Sequence, residues 1–296
     1  MRFKIMFFTL CLFLPVYISF SQDYKTITFF NNDTLELKLD VFIPENEKPE
    51  SVSLLIFVHG GGFKNGNRNS GHKFCREMTS RGLVSASISY TLYMKDKNFG
   101  CDGILSEKIK AIQHGTNALW LATDYFIKHA DEYHIDTNRI FIAGNSAGAE
   151  VALHSAYWDR KIMSIYPNQL SVDFKFAGII SGSGAIMDLN LITKNNVVPT
   201  FLFHGDGDKL VPYATAPHHF CKTNAPGWLM LFGSKSIYDH LVLLDCSATL
   251  YTLSGSGHEI HSWYFENKPD EIYNFINNDK KNRVQNHTQI NVNKRD

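Results

Sequence analysis

The sequence predicts an α/β fold built on a mainly parallel sheet. Three observations carry that prediction. Short apolar runs alternate with longer helical stretches from residue 53 to residue 276, at a spacing that suits right-handed crossovers. Residues 53–58 are a run of Leu, Ile, Phe and Val, the pattern of a strand buried on both faces. A second apolar run, 140–143, passes through Gly144-Asn145-Ser146-Ala147-Gly148 directly into a helical stretch over 149–158.

In chain order, residues 1–21 read as a secretory signal. Arg2 and Lys4 form the charged start, 5–20 is an apolar run broken by Pro15, and Ser19, Ser21 and Gln22 lie near a plausible cut site. An uncleaved anchor is the alternative, against which the proline and the short run argue. Residues 22–278 then form one catalytic α/β domain. Residues 24–30 and 35–43 read as an antiparallel entry hairpin around Asn31-Asn32-Asp33, the second strand alternating Leu35, Leu37, Leu39, Val41 and Ile43 with polar residues. Residues 71–81 read as a helix, 83–90 as a strand and 104–133 as a long helix before the strand that leads to Ser146. Strands follow at 174–180, 199–203 and 248–253, and helices at 213–221, 235–244 and 270–276. Gly233-Ser234 is placed to cap the second of these helices. The segment 224–232 reads as an insertion that carries Trp228 toward the site. Residues 279–296 hold almost no large apolar groups and read as a polar disordered tail.

The chain has 296 residues, 44% of them hydrophobic, with 29 basic and 29 acidic side chains. That is enough for one domain with a sizeable core. No basic patch or charge block is present, which excludes nucleic acid as the expected partner. Export places the cysteines in an oxidising setting. Cys11 leaves with the signal, and Cys75, Cys101, Cys221 and Cys246 allow three pairings. Cys75–Cys101 and Cys221–Cys246 close the shortest loops and are favoured, with four buried thiols as the alternative. No cysteine pair has zinc-ligand spacing.

The chemistry is concentrated in loops that follow strands. Gly144-Asn145-Ser146-Ala147-Gly148 is a G-x-S-x-G held between a strand and a helix, the arrangement that keeps a serine hydroxyl outward on a tight turn. As a bare pattern it would arise by chance in about one chain in ten of this length, so the strand and helix around it matter. His59-Gly60-Gly61-Gly62 follows the strand at 53–58 and is far rarer. Its glycines let backbone N–H groups turn inward, where they can hold an oxyanion. His59 reads as a brace for that loop. A serine nucleophile needs a base, and the base needs an acid to fix its tautomer. His258 follows the last strand in the glycine-rich loop 254–259, and Asp208 follows the strand before it. The order Ser146, Asp208, His258 suits a parallel sheet whose reactive groups gather at the carboxyl ends of its strands. Asp206 is the rival to Asp208, His261 reads as a surface residue and His204 as a braced strand-end histidine.

On these residues the chain resembles the α/β-hydrolase superfamily, and within it the secreted carboxylesterases of the hormone-sensitive-lipase-like and feruloyl-esterase-like groups. The resemblance covers roughly 35–278 and rests on His59-Gly60-Gly61-Gly62, the G-x-S-x-G, the H-G-x-x-D-x-x-V-P of 204–212 and Gly257-His258-Glu259. It implies a mostly parallel eight-stranded sheet with helices on both faces and a small or absent cap. It implies Ser146 as nucleophile, His258 as base and then acid, Asp208 as its orienter, and the backbone N–H groups of Gly61, Gly62 and Ala147 as the oxyanion hole. No metal or cofactor is implied.

Ala149-Glu150 departs from the second glycine that many relatives carry after the elbow. Glu150 suits the helix dipole there and is placed to colour the acyl pocket. The expected function is a secreted or periplasmic serine ester hydrolase. Its substrate would be a small-molecule or polysaccharide-linked ester, and no membrane insertion would persist after signal cleavage. A serine peptidase of the same fold and a non-catalytic hydrolase-like binding protein are the alternatives.

Overall fold

The computed structural model describes residues 23–45, 51–281 and 287–293. The expected signal segment lies outside them. Strands β1 (Lys25–Asn31) and β2 (Glu36–Phe42) form the antiparallel entry hairpin, closed by Asn32, whose Oδ1 accepts the amides of Thr34 and Leu35. Then come β3 (Val52–Val58), α1 (His72–Ser80), β4 (Val84–Ile88), α2 (Leu105–Lys128), α3 (Ala130–Tyr133), β5 (Ile135–Asn145) and α4 (Ala147–Tyr157). The second half holds α5 (Arg160–Met163), β6 (Gly178–Gly182), β7 (Ala185–Ile186), β8 (Thr200–Gly205), β9 (Thr215–Pro217), β10 (Met230–Gly233), α6 (Ser234–Leu243), β11 (Ala248–Ser254), α7 (Trp263–Asn267), α8 (Pro269–Lys281) and β12 (His287–Asn293).

The main sheet has nine strands in the order β1-β2-β4-β3-β5-β6-β8-β11-β12, parallel from β4 to β12. Strand pleating divides the apolar residues between two cores. Leu54, Ile56, Val58, Ile140 and Ile142 face the side covered by α2, α4 and α6. Leu55, Phe57, Phe141 and Ala143 face the side covered by α1, α7 and α8. Both faces are therefore buried, as the continuous apolar runs require. Strands β7, β10 and β9 make a small antiparallel sheet that supports the loops at one end of the molecule.

Four expectations are corrected. The sheet has nine strands, not eight, because residues 287–293 of the expected disordered tail pair in parallel with β11, from Ala248↔His287 to Ser254↔Asn293. Those residues alternate little apolar surface, so the pairing is backbone hydrogen bonding on an edge, which composition does not report. Residues 213–221 are not a helix but β9 followed by a single 3-10 turn at His218–Phe220. Ser234 does not cap α6 with its side chain; its hydroxyl is taken by His204 Nδ1 at 2.9 Å. The disulfide joins Cys101 to Cys221, with Cα atoms 5.2 Å apart, and leaves Cys75 and Cys246 as buried thiols. Cys75 lies on α1 within the core shared with α7 and α8, and Cys246 lies just before β11 at the foot of the sheet. The loops carrying Cys101 and Cys221 instead meet over the carboxyl ends of the strands. Sequence separation misled here because the partner 120 residues away is the spatial neighbour.

Candidate active site

Ser146 sits at the sharp turn between β5 and α4 with φ +53° and ψ −124°, a strained conformation for a residue with a Cβ. The turn is this tight because the flanks permit no side chain. A Cβ on Gly144 would lie 2.3 Å from Gly148 O, and one on Gly148 would lie 2.1 Å from Val58 O. The Ser146 amide donates to Gly182 O at 2.8 Å, which ties the turn to the neighbouring strand β6. Its hydroxyl is left to face the loops above the sheet.

His258 begins the single 3-10 turn after β11 and brings its ring to that hydroxyl. Ser146 Oγ and His258 Nε2 are 2.8 Å apart, and His258 Nδ1 and Asp208 Oδ2 are 2.6 Å apart. A carboxylate oxygen only accepts, so Nδ1 carries the proton and Nε2 is free to accept from the hydroxyl. Asp208 is 1% exposed and receives four donors. Oδ1 accepts the amides of Leu210 and Val211 at 2.8 and 3.1 Å, and Oδ2 accepts His204 Nε2 at 3.2 Å as well as His258. Burial pushes this carboxyl up, but the hydrogen bonds and fields of His204 and His258 outweigh it and hold the group well below the usual carboxylate range. Asp206 lies two residues earlier and turns away; its Oδ1 accepts Gly255 N at 2.7 Å and braces the loop that carries His258.

The glycine loop after β3 lies alongside. Gly61 and Gly62 have φ +111° and +61°, and a Cβ at Gly61 would meet Asn65 O at 2.2 Å. The loop's carbonyls are occupied from below: His59 Nδ1 donates to Gly60 O at 2.7 Å, and Tyr90 Oη donates to His59 O and Gly60 O. Burial keeps the His59 pKa low, so this ring acts as a neutral brace stacked on Tyr90. Ala147 opens α4, where the first amides have no acceptor within the helix and the dipole favours negative charge. Gly61, Gly62, Ser146, Ala147 and His258 all line one cleft of about 720 Å³.

The BD-FAE family model matches residues 39–197, more than half of the chain. The chain belongs to the BD-FAE family. This is an esterase family of the hormone-sensitive-lipase-like, feruloyl-esterase-like kind, and the chain is a carboxylesterase of the α/β-hydrolase fold. Among solved structures it is similar to esterase 2 of Thermogutta terrifontis. The apo form is 15% identical with a TM-score of 0.66, covering 88% of this chain and 95% of that chain. The propionate-bound form is 15% identical with a TM-score of 0.65 over the same shares, 88% and 95%. The form phosphorylated by paraoxon is 16% identical with a TM-score of 0.62, covering 80% and 85%. At this identity the likeness is one of fold.

Several residues of this BD-FAE esterase's cleft escaped the sequence reading. His261, expected on the surface, lines the cleft and accepts from Asn145 Nδ2 at 2.9 Å through its Nδ1. Trp228 does not line it; its segment instead supplies Gly227 O, which accepts Lys108 Nζ at 2.6 Å. Phe99, His218 and His219 form the outer wall, and Cys101–Cys221 ties their two loops together. Glu150 does reach the cleft, at 1% exposure. Burial pushes its carboxyl up to about 8, with Lys108 pulling down and Asp208 adding to the rise. His154, one turn further along α4, is kept near 4 by burial and stays neutral. Its Nε2 accepts Met187 N at 3.2 Å, so its Nδ1–H donates to Glu150 O at 2.6 Å. The adjacent His218-His219 pair was visible in sequence; Lys108, one lysine in a long helix, carried no signal. Among the described residues no group of three or more His, Cys, Asp and Glu side chains is arranged to hold a metal, and no helix is long and apolar enough to cross a membrane.

Proposed function

We propose that this carboxylesterase is an exported serine hydrolase that acts through a Ser-His-Asp triad and an acyl-enzyme, on short-acyl or polysaccharide-linked acetyl or feruloyl esters. The observation that carries the reading is the unbroken hydrogen-bonded row from Ser146 Oγ through His258 to Asp208 Oδ2, beside the glycine loop and the start of α4. Ser146 Oγ attacks the ester carbonyl while its proton passes to His258 Nε2. Asp208 holds the ring by its Nδ1–H and stabilises the imidazolium that forms. The amides of Gly61, Gly62 and Ala147 receive the oxyanion, each such donor being worth about 10²–10³ in rate. The imidazolium then protonates the departing alkoxide, leaving an acyl group on Ser146. Water attacks that ester with His258 again as base, and the acid leaves.

Esterase 2 of Thermogutta terrifontis, which shares the fold, has been seen phosphorylated by paraoxon and bound to propionate and to butyrate. That supports a serine attacked by organophosphates and a short acyl group here. An open cleft walled by loops supports an ester on a bulky carrier. Export is supported by the charged and apolar pattern of residues 1–21 and by the Cys101–Cys221 disulfide. The test is turnover of p-nitrophenyl acetate together with labelling by a fluorophosphonate probe. Wild type should hydrolyse and label, and Ser146→Ala should do neither. Equal rates in the two proteins would sink the mechanism. Sequencing the N-terminus of the exported protein should find a start near residue 22.

A further inference from the structure

Two buried polar atoms in the cleft have no hydrogen-bond partner among the described residues, Glu150 Oε1 and His218 Nδ1. Both residues line the cleft that holds Ser146, and they are 1% and 2% exposed. An unpaired buried atom of this kind is costly, and native folds leave few of them. Neither Lys108 nor Tyr90, two neighbours that feel Glu150's charge, bonds its Oε1. Lys108 Nζ donates to Gly227 O, and Tyr90 Oη donates to His59 O and Gly60 O. The start of α4 does not need the Glu150 side chain either, because the backbone bond Glu150 N→Ser146 O and the ring bond His154 Nδ1→Glu150 O hold that turn. Burial leaves the Glu150 carboxyl protonated at neutral pH, able to donate and accept, and keeps His218 neutral. A hydrocarbon chain in this part of the cleft would leave both atoms unpaired. A hydroxyl, itself donor and acceptor, would satisfy them.

We propose that Glu150 and His218 form a hydroxyl-recognition subsite, selecting esters that carry a hydroxyl a few bonds from the ester carbonyl. The short reach follows from the turn: Glu150 lies four residues past Ser146, its amide donates to Ser146 O at 3.1 Å, and both residues line the same cleft. The proposal rests on Ser146 as the nucleophile. It makes Glu150 and His218 the residues that decide which ester is taken, and it excludes a plain alkyl ester as the best substrate. A site built around a hydroxyl rejects the analogue that lacks it far more strongly than an apolar pocket rejects an added methylene.

The hydroxyl can enter on the acyl chain or on the alcohol, and two substrate pairs separate these. Methyl 3-hydroxybutyrate is compared with methyl butyrate, and glyceryl monobutyrate with propyl butyrate. In wild type, one pair should show kcat/KM at least about tenfold higher for the hydroxylated ester, a ratio equal to about 1.4 kcal/mol. That ratio should survive in Glu150→Gln, which keeps a donor and an acceptor, and should shrink below about threefold in Glu150→Leu. His218→Leu, on a different loop, should shrink it as well and decides the matter if the first variant does not fold. Ratios below about threefold for both pairs in wild type, or ratios untouched by either leucine variant, would overturn the subsite. If wild type hydrolyses methyl butyrate and Ser146→Ala does not, the catalytic reading outlives that result. Turnover of none of the four esters by an enzyme that hydrolyses p-nitrophenyl acetate would overturn the subsite and leave the catalytic reading standing.

Discussion

The loop that carries Asp208 and the part of the cleft that holds Glu150 contain carboxyl groups equally withdrawn from water, each 1% exposed. They end on opposite sides of the ordinary range. Asp208 is held well below it, while Glu150 is pushed up to about 8. Burial raises both. Asp208 has two backbone amides and two imidazoles aimed at its oxygens, whereas Glu150 has an oxygen with no partner. The donors aimed at its oxygens let Asp208 keep its charge against burial, and Glu150 lacks such donors to offset the burial that raises it. The first is equipped to stabilise a cation on His258, the second to meet a neutral polar group.

The largest effect should come from breaking the charged side of this contrast. Asp208→Asn should lower kcat by about 10³–10⁴, because an amide facing His258 Nδ1 can stabilise the wrong tautomer and no longer balances the imidazolium; steady-state kinetics on p-nitrophenyl acetate checks this. Next is the clamp on the loops that carry Phe99 and His218. Replacing Cys101 and Cys221 together by alanine should cost about 3–5 kcal/mol of stability, given the 120-residue separation they close, read from denaturant midpoints of the oxidised parent and the variant.

Glu150→Gln tests the neutral side. A carboxyl raised to about 8 in the fold contributes stability that is whole below pH 4.5 and is lost as pH climbs through 8. The variant lacks that loss, so its stability relative to wild type should grow by a few kcal/mol between those limits and level off above them. A flat difference across that range, in melts at stepped pH, would contradict the assignment. The smallest effect belongs to Asp206→Ala. Its single bond to Gly255 N sits at an exposed site, so stability should fall by about 1 kcal/mol or less and kcat by under about tenfold.

The parts of the molecule that could be read in advance are those whose causes lie within a dozen contiguous residues. The elbow is one: an apolar strand, two glycines that a Cβ would drive into Gly148 O and Val58 O, and a helix of small residues are all visible in 140–157. The glycine loop after β3 is another. His258 and Asp208 could be nominated because a parallel sheet gathers the loops after its strands at one end, so chain order constrains position. The hairpin β1–β2 was legible through its alternation and its Asn32 turn.

By itself, then, the amino-acid order determined the strand–helix alternation, the strained serine turn and the set of loops able to bear the chemistry, because each depends on local backbone geometry and the period of apolar residues. Only the tertiary structure decided that Cys101 meets Cys221, that residues 287–293 add an edge strand, and that a carboxyl on α4 and a histidine 68 residues after it line one cleft. Those pairings are set by how layers stack and how loops fold back across the sheet. Burial and hydrogen-bond partners, which fix the charge state of each group, exist only once that stacking is complete.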